Sequence, residues 1–113
     1  MIRISHHLLL CATSNKAACC NREEGEASWI YLKKLLSQLG LEDTSRSEGV
    51  VLRSKVDCLR ICSNGPILLV WPDGIWYEGI TPERIDIIVR QHIIKGDILE
   101  EWVFKKTSFA AIQ

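Results

Sequence analysis

Apolar residues fall in short unbroken runs at several places along the chain and at helical spacing at others. The first run, His7-Leu8-Leu9-Leu10, predicts a strand over Ser5 to Cys11, buried on both faces because the run hardly alternates. Ala12 to Glu24 has no periodicity, carries Thr13, Ser14, Asn15 and Asn21, and reads as a loop. From Ala27 to Leu39 the pattern changes to a helix: Trp29, Leu32, Leu35, Leu36 and Leu39 share one face, with Lys33, Lys34 and Gln38 on the other. Glu23, Glu24 and Glu26 suit its positive N-terminal end, and Gly40 suits its stop. Glu42 to Glu48 is a polar loop. Val50 to Val56 predicts a second strand whose polar positions, Arg53 among them, place it near an edge of the sheet.

Ile67 to Trp71 predicts a third strand and Ile75 to Gly79 a fourth. Pro72-Asp73-Gly74 turns the chain between them, because proline presets a negative φ and glycine supplies a left-handed position. So short a turn makes the pair antiparallel. Thr81 caps a second long helix, Pro82 takes its first position, and Lys95-Gly96 ends it. Its stripe is Ile85, Ile88, Val89 and Ile93, and His92 is read as a surface residue compatible with the helix dipole. Asp97 is expected to cap a further short helix carrying Ile98, Leu99 and Trp102. The order is β-α-β followed by β-β-α. It predicts an α/β fold: a mixed four-stranded sheet with helices packed on it, its first two strands parallel through a right-handed crossover. Residues 1–104 form one domain, and 105–113 read as a loose tail.

Composition narrows the function more than the fold. A chain of 113 residues closes a single core. Its formal net charge is zero, with no basic block, which disfavours nucleic acid. Leu8-Leu9-Leu10 is too short to cross a membrane or to form the core of a signal peptide. No membrane is expected, and the location expected is cytoplasmic. A nucleotide-binding glycine loop and a Ser/His/Asp set are both missing from the sequence pattern, so the chemistry falls to the cysteines.

There are five cysteines, an odd number that, without a signal peptide, argues against an extracellular disulfide framework. Cys11 and Cys58 each follow a predicted strand. If those strands are parallel neighbours, both thiols leave the sheet at one edge. Cys62 lies within a turn of Cys58, and the loop bearing Cys19 and Cys20 leaves from the same edge. Four converging thiolates suit an iron–sulfur cluster or a structural zinc ion. Cys-x₃-Cys is neither a zinc-ribbon knuckle nor the Cys-x₂-Cys of thiol–disulfide oxidoreductases, which weakens that third reading. His6, His7 and His92 are set aside as ligands.

The segments CATSNKAACC and CLRICSNGPILLVWPDGIWYEGITPE resemble the thioredoxin-like [2Fe-2S] ferredoxins, and the likeness runs from the first strand to about Trp102. Cys-x₃-Cys-x₂-Gly-Pro, an apolar strand, then Pro-Asp-Gly-x-Trp-Tyr carry it. The resemblance implies a thioredoxin-like fold, a [2Fe-2S] cluster, single-electron transfer to a redox partner protein, and a homodimer. It is an electron carrier's set of properties, not an enzyme's. Carried over by position, Cys11 and Cys20 hold one iron and Cys58 and Cys62 the other. Cys19 is the alternative to Cys20, which is preferred because it stands nearer the helix of Trp29. Gly65-Pro66 and Pro72-Asp73-Gly74 are expected to fix the backbone that presents the second pair.

Overall fold

The computed structural model describes residues 2–11, 22–56 and 65–108. Its elements are β1 (Ile4–Cys11), α1 (Arg22–Gln38), β2 (Val50–Val56), β3 (Leu68–Trp71), β4 (Ile75–Tyr77), α2 (Pro82–Ile88) and β5 (Val103–Lys106). They build one five-stranded mixed sheet in the order β2-β1-β3-β4-β5. β1 runs parallel to β2 and antiparallel to β3, and the remaining pairs are antiparallel. The parallel pair, the hairpin and the edge position of β2 follow the hydrophobic pattern.

One face of the sheet carries the core. Leu8 and Leu10 of β1, Leu68 and Val70 of β3, and Ile75 and Tyr77 of β4 pack against Leu32, Leu35 and Leu36 of α1 and Ile85 and Ile88 of α2. These are alternate strand positions meeting helical i, i+3, i+4 stripes, as the two periodicities require. Each fully buried leucine or isoleucine contributes about 1.5–3 kcal/mol relative to exposure.

Three elements differ from the expectation. α1 begins at Arg22, so Arg22, Glu23 and Glu24 belong to the helix and not to the preceding loop. This first stretch is polar and is followed by Gly25, so it carries no apolar period to reveal it. The sheet has a fifth strand: Val103–Lys106 pairs with β4, so Lys105 and Lys106 are not part of a loose tail. Thr107 donates its N–H to the Gly74 carbonyl at 2.7 Å, which continues that anchorage. In place of a short helix from Asp97 there is only a 3-10 turn, Glu100–Trp102, leading into the strand. A four-residue edge strand has too little alternation to announce itself, and it forms because β4 offers it an open edge.

α2 starts as expected, with the Thr81 hydroxyl accepting the Arg84 N–H at 3.2 Å and proline in the first turn. It then widens into a π-helical segment, Val89–Ile94. Gly96, at φ +81°, closes it by donating to the His92 carbonyl at 3.0 Å, while Asp97 donates to that of Gln91 at 2.8 Å.

Candidate functional site

β1, β2 and β3 place Cys11. It is the last residue of β1, fully buried, and its N–H donates to the Ile67 carbonyl at 3.0 Å. Across the parallel ladder it is paired with Val56, the last residue of β2. The segment 57–64 therefore leaves the described fold beside Cys11. It re-enters at Gly65, two residues before Ile67, so it also returns beside Cys11. Residues 12–21 leave directly from Cys11. Of the predicted site residues the structure describes Cys11; Cys19, Cys20, Cys58 and Cys62 lie outside the described residues. Among the described residues no trio of histidine, cysteine or acidic side chains is arranged to hold a metal ion.

The surroundings of Cys11 are apolar. It packs with Ile67, and Val56, Trp76 and Phe104 lie against the two. Trp76 and Phe104 meet edge to face at 6.3 Å, and the Trp76 indole donates to the Thr107 hydroxyl at 2.7 Å. This cluster lies apart from the main core under the helices. Pro66 supports the same edge, its carbonyl accepting the Ile80 N–H at 3.0 Å.

The Pro72-Asp73-Gly74 turn lies at the other end of the sheet. Leu68 sits opposite Leu10, but Trp71 sits opposite His7. The turn that follows Trp71 therefore adjoins the N-terminal half of β1. The expectation that this turn presents the second cysteine pair is corrected: antiparallel pairing carries β3 away from Cys11, and only its Gly65-Pro66 end stays beside it.

That far end holds a polar cluster which the sequence did not reveal. His92 is not a surface residue; it is 2% exposed. Its Nδ1 lies 2.7 Å from the Tyr77 hydroxyl and its Nε2 lies 2.5 Å from Asp73 Oδ2. His6 Nε2 approaches the same carboxylate oxygen at 3.8 Å. The Leu99 N–H donates to Tyr77 Oη at 3.2 Å. Burial holds the His6 imidazole below its ordinary range; Asp73 opposes this, and His92 and Arg46 add to it. Burial likewise pushes the Tyr77 phenol up, against the hydrogen bond from Leu99 and with Asp73 and Glu100 reinforcing it. A signal for His92 existed: it falls on the same helical stripe as Ile85, Ile88 and Val89. His7 faces elsewhere, with Nε2 2.8 Å from the Ser54 hydroxyl on β2.

No family model matches the chain. Relatives do. A 2Fe-2S ferredoxin of Clostridium pasteurianum is 26% identical over 105 residues, 88% of this chain and 96% of that protein. A 2Fe-2S ferredoxin of Aquifex aeolicus strain VF5 is 27% identical over 105 residues, 88% of this chain and 89% of that one. Among solved structures, a thioredoxin-like [2Fe-2S] ferredoxin from Aquifex aeolicus superposes with a TM-score of 0.76 at 21% identity, covering 97% of this chain and 99% of that one. The wild-type protein in another structure gives 0.74 at 23% identity, covering 91% and 99%. The chain is thus similar in sequence to 2Fe-2S ferredoxins over most of its length and shares the fold of the thioredoxin-like ones.

Proposed function

We propose that the chain is a one-electron carrier, and not itself a catalyst, with a [2Fe-2S] cluster held by the thiolates of Cys11, Cys20, Cys58 and Cys62. Cys19 is the alternative to Cys20. The observation that carries this reading is the position of Cys11 at the end of β1, with both cysteine-bearing segments rooted beside it. Cys58 follows Val56 by two residues and Cys62 precedes Gly65 by three. Two or three residues of chain reach no more than about 7–11 Å, so connectivity keeps both close to the Cys11 edge. A set of four cysteine sulfurs is the ligand chemistry such clusters take.

The cluster, when bound, exchanges one electron. The chain supplies four thiolates and a surrounding that sets how readily that exchange occurs. Burial of Cys11 among Ile67, Val56, Trp76 and Phe104 keeps water from this side of the site. Lower local polarity disfavours added negative charge, while backbone N–H groups aimed at sulfur favour it. Ser63-Asn64-Gly65 and Ala12-Thr13 are the segments whose amides we assign to that task.

The electron passes to a redox partner protein, and the carrier works as a homodimer in the cytoplasm. Support for self-association is the apolar surface at the open edge of β2: Leu52 is 36% exposed there, Ile2 and Ile4 at the neighbouring start of β1 are 60% and 61% exposed, and these residues line a groove of about 530 Å³. Among the described residues no helix is long and apolar enough to cross a membrane.

Anaerobic purification tests the reading. A brown protein with equal iron and acid-labile sulfide, and a paramagnetic reduced state, is expected. A protein that stays colourless after reconstitution, or that carries zinc without sulfide, overturns it.

A further inference from the structure

Two departures from regular backbone converge on Asp73. In β1 the register against β2 slips by one residue between Ile4 and His6, an irregularity of the kind that re-aims a side chain. In the second helix His92 lies buried within the π-helical segment, and such turns recur at functional sites. Both imidazoles point Nε2 at one oxygen of one carboxylate.

The hydrogen-bond directions follow from the two ends of the chain of contacts. The Leu99 amide can only donate, so Tyr77 Oη accepts from it. The Tyr77 hydroxyl proton then goes to His92 Nδ1, and His92 Nε2–H goes to Asp73. One neutral tautomer of His92 satisfies every partner. The line ties together the β3–β4 turn, the π-helical segment, β4 and the stretch that leads into β5.

We propose that Asp73, His92 and His6 form a proton-operated latch, in which one carboxylate serves two imidazoles and proton uptake loosens the hold of Tyr77 on the segment entering β5. The imidazole open to solvent is His6, whose side chain is 19% exposed, where that of His92 is 2% exposed, and the latch takes its proton there. Both nitrogens of His6 then carry hydrogen. Nδ1–H turns to the Ser5 hydroxyl, 2.6 Å away, and the charged Nε2–H draws Asp73 Oδ2 from His92. With Nε2–H no longer held by Asp73, the His92 ring is free to turn, and the Tyr77 hydroxyl loses the Nδ1 acceptor that fixes it against the Leu99 N–H. Surroundings modulate uptake at His6: burial opposes it most, Asp73 favours it, and His92 and Arg46 oppose it, while burial, Asp73 and Glu100 keep the Tyr77 phenol protonated against the Leu99 hydrogen bond. None of these residues adjoins the cysteines, so the latch stands or falls independently of the electron-carrier reading.

The test is solution NMR of the purified protein between pH 8 and pH 5, following the His6 and His92 ring nitrogens and the exchange protection of the Leu99 amide. Its visible spectrum, recorded alongside, reports separately on the cysteine site. The expected result is that His92 shows the Nε2–H tautomer at pH 8. Leu99 should lose protection by about tenfold across the His6 titration, the opening of a local contact. His6→Gln should make that protection flat with pH. Asp73→Asn, which keeps an acceptor for His92 but no charge, should do the same. Unchanged Leu99 protection while His6 titrates, or an equal loss in both variants, overturns the latch.

Discussion

At the residue scale the cysteines are unequal. Cys11 is fixed at the end of a central strand, and its substitution by serine should abolish the visible cluster spectrum. Cys58→Ser and Cys62→Ser should each destroy or severely alter it. Of Cys19→Ser and Cys20→Ser only one should do so, because two adjacent residues seldom meet one ligand geometry. Iron and sulfide content checks all five, and if neither of the adjacent pair matters the fourth ligand is elsewhere. Tyr77 is a different kind of residue. Tyr77→Phe keeps the ring in the core but strips the Leu99 N–H and His92 Nδ1 of their partner. An expected loss of about 1–3 kcal/mol is measurable as a lower urea midpoint with an unchanged cluster spectrum.

At the element scale, the β1–β2 pairing matters most, since it sets Cys11 beside Val56. Gly49 precedes β2 at φ +108°, and a Cβ there would stand 2.7 Å from the Ser5 backbone nitrogen. Gly49→Ala is therefore strained twice, by its φ and by contact with backbone that has no flexible side chain to yield. It should destabilise by roughly 1–3 kcal/mol, with proportionally greater effect on retention of the cluster than a helix-surface substitution such as Lys33→Ala. α1 holds the same strands from one face: Leu36→Ala opens a cavity in the core and should cost about 2–5 kcal/mol by denaturant titration. The elements with long periodic patterns, α1 and the early turns of α2, were legible from sequence. β5 was not. Its four residues gain their hydrogen bonds from β4, and no local pattern encodes a partner that distant.

At the scale of the whole molecule, stability should fall with acid in two steps. His6 binds its proton less readily when folded than its ordinary value of 6.5, so the unfolded chain takes up more protons in that window. The contribution is complete above 6.5 and declines as pH drops toward the lower folded value. The second step comes from Asp86, whose carboxyl is held below the usual 3.8 by hydrogen bonds from Tyr31 and then from Arg90. Its contribution is present above 3.8 and is lost as pH falls through the folded value. Urea midpoints at pH 7.5, 5.5 and 3.5 should decrease in that order; a flat segment between the first two would mean that His6 is not held neutral. Sedimentation velocity should show a dimer, and Leu52→Lys on the open β2 edge should shift it toward monomer.

Taken by itself, the sequence determined the alternation of strands and helices, the parallel start and antiparallel hairpin, and the placing of Cys11 and Cys58 after strands. These depend on local periodicity, turn chemistry and capping, which the chain carries within a few residues of each element. Tertiary structure alone decided where the hairpin turn ends up, that β4 acquires a fifth strand, and that His92 and His6 meet at Asp73. Those depend on residues separated by 19 positions and more. The physical reason is one of range: a period of two or 3.6 residues is written along the chain, whereas an edge to pair with, or a carboxylate to share, exists only after the sheet has formed.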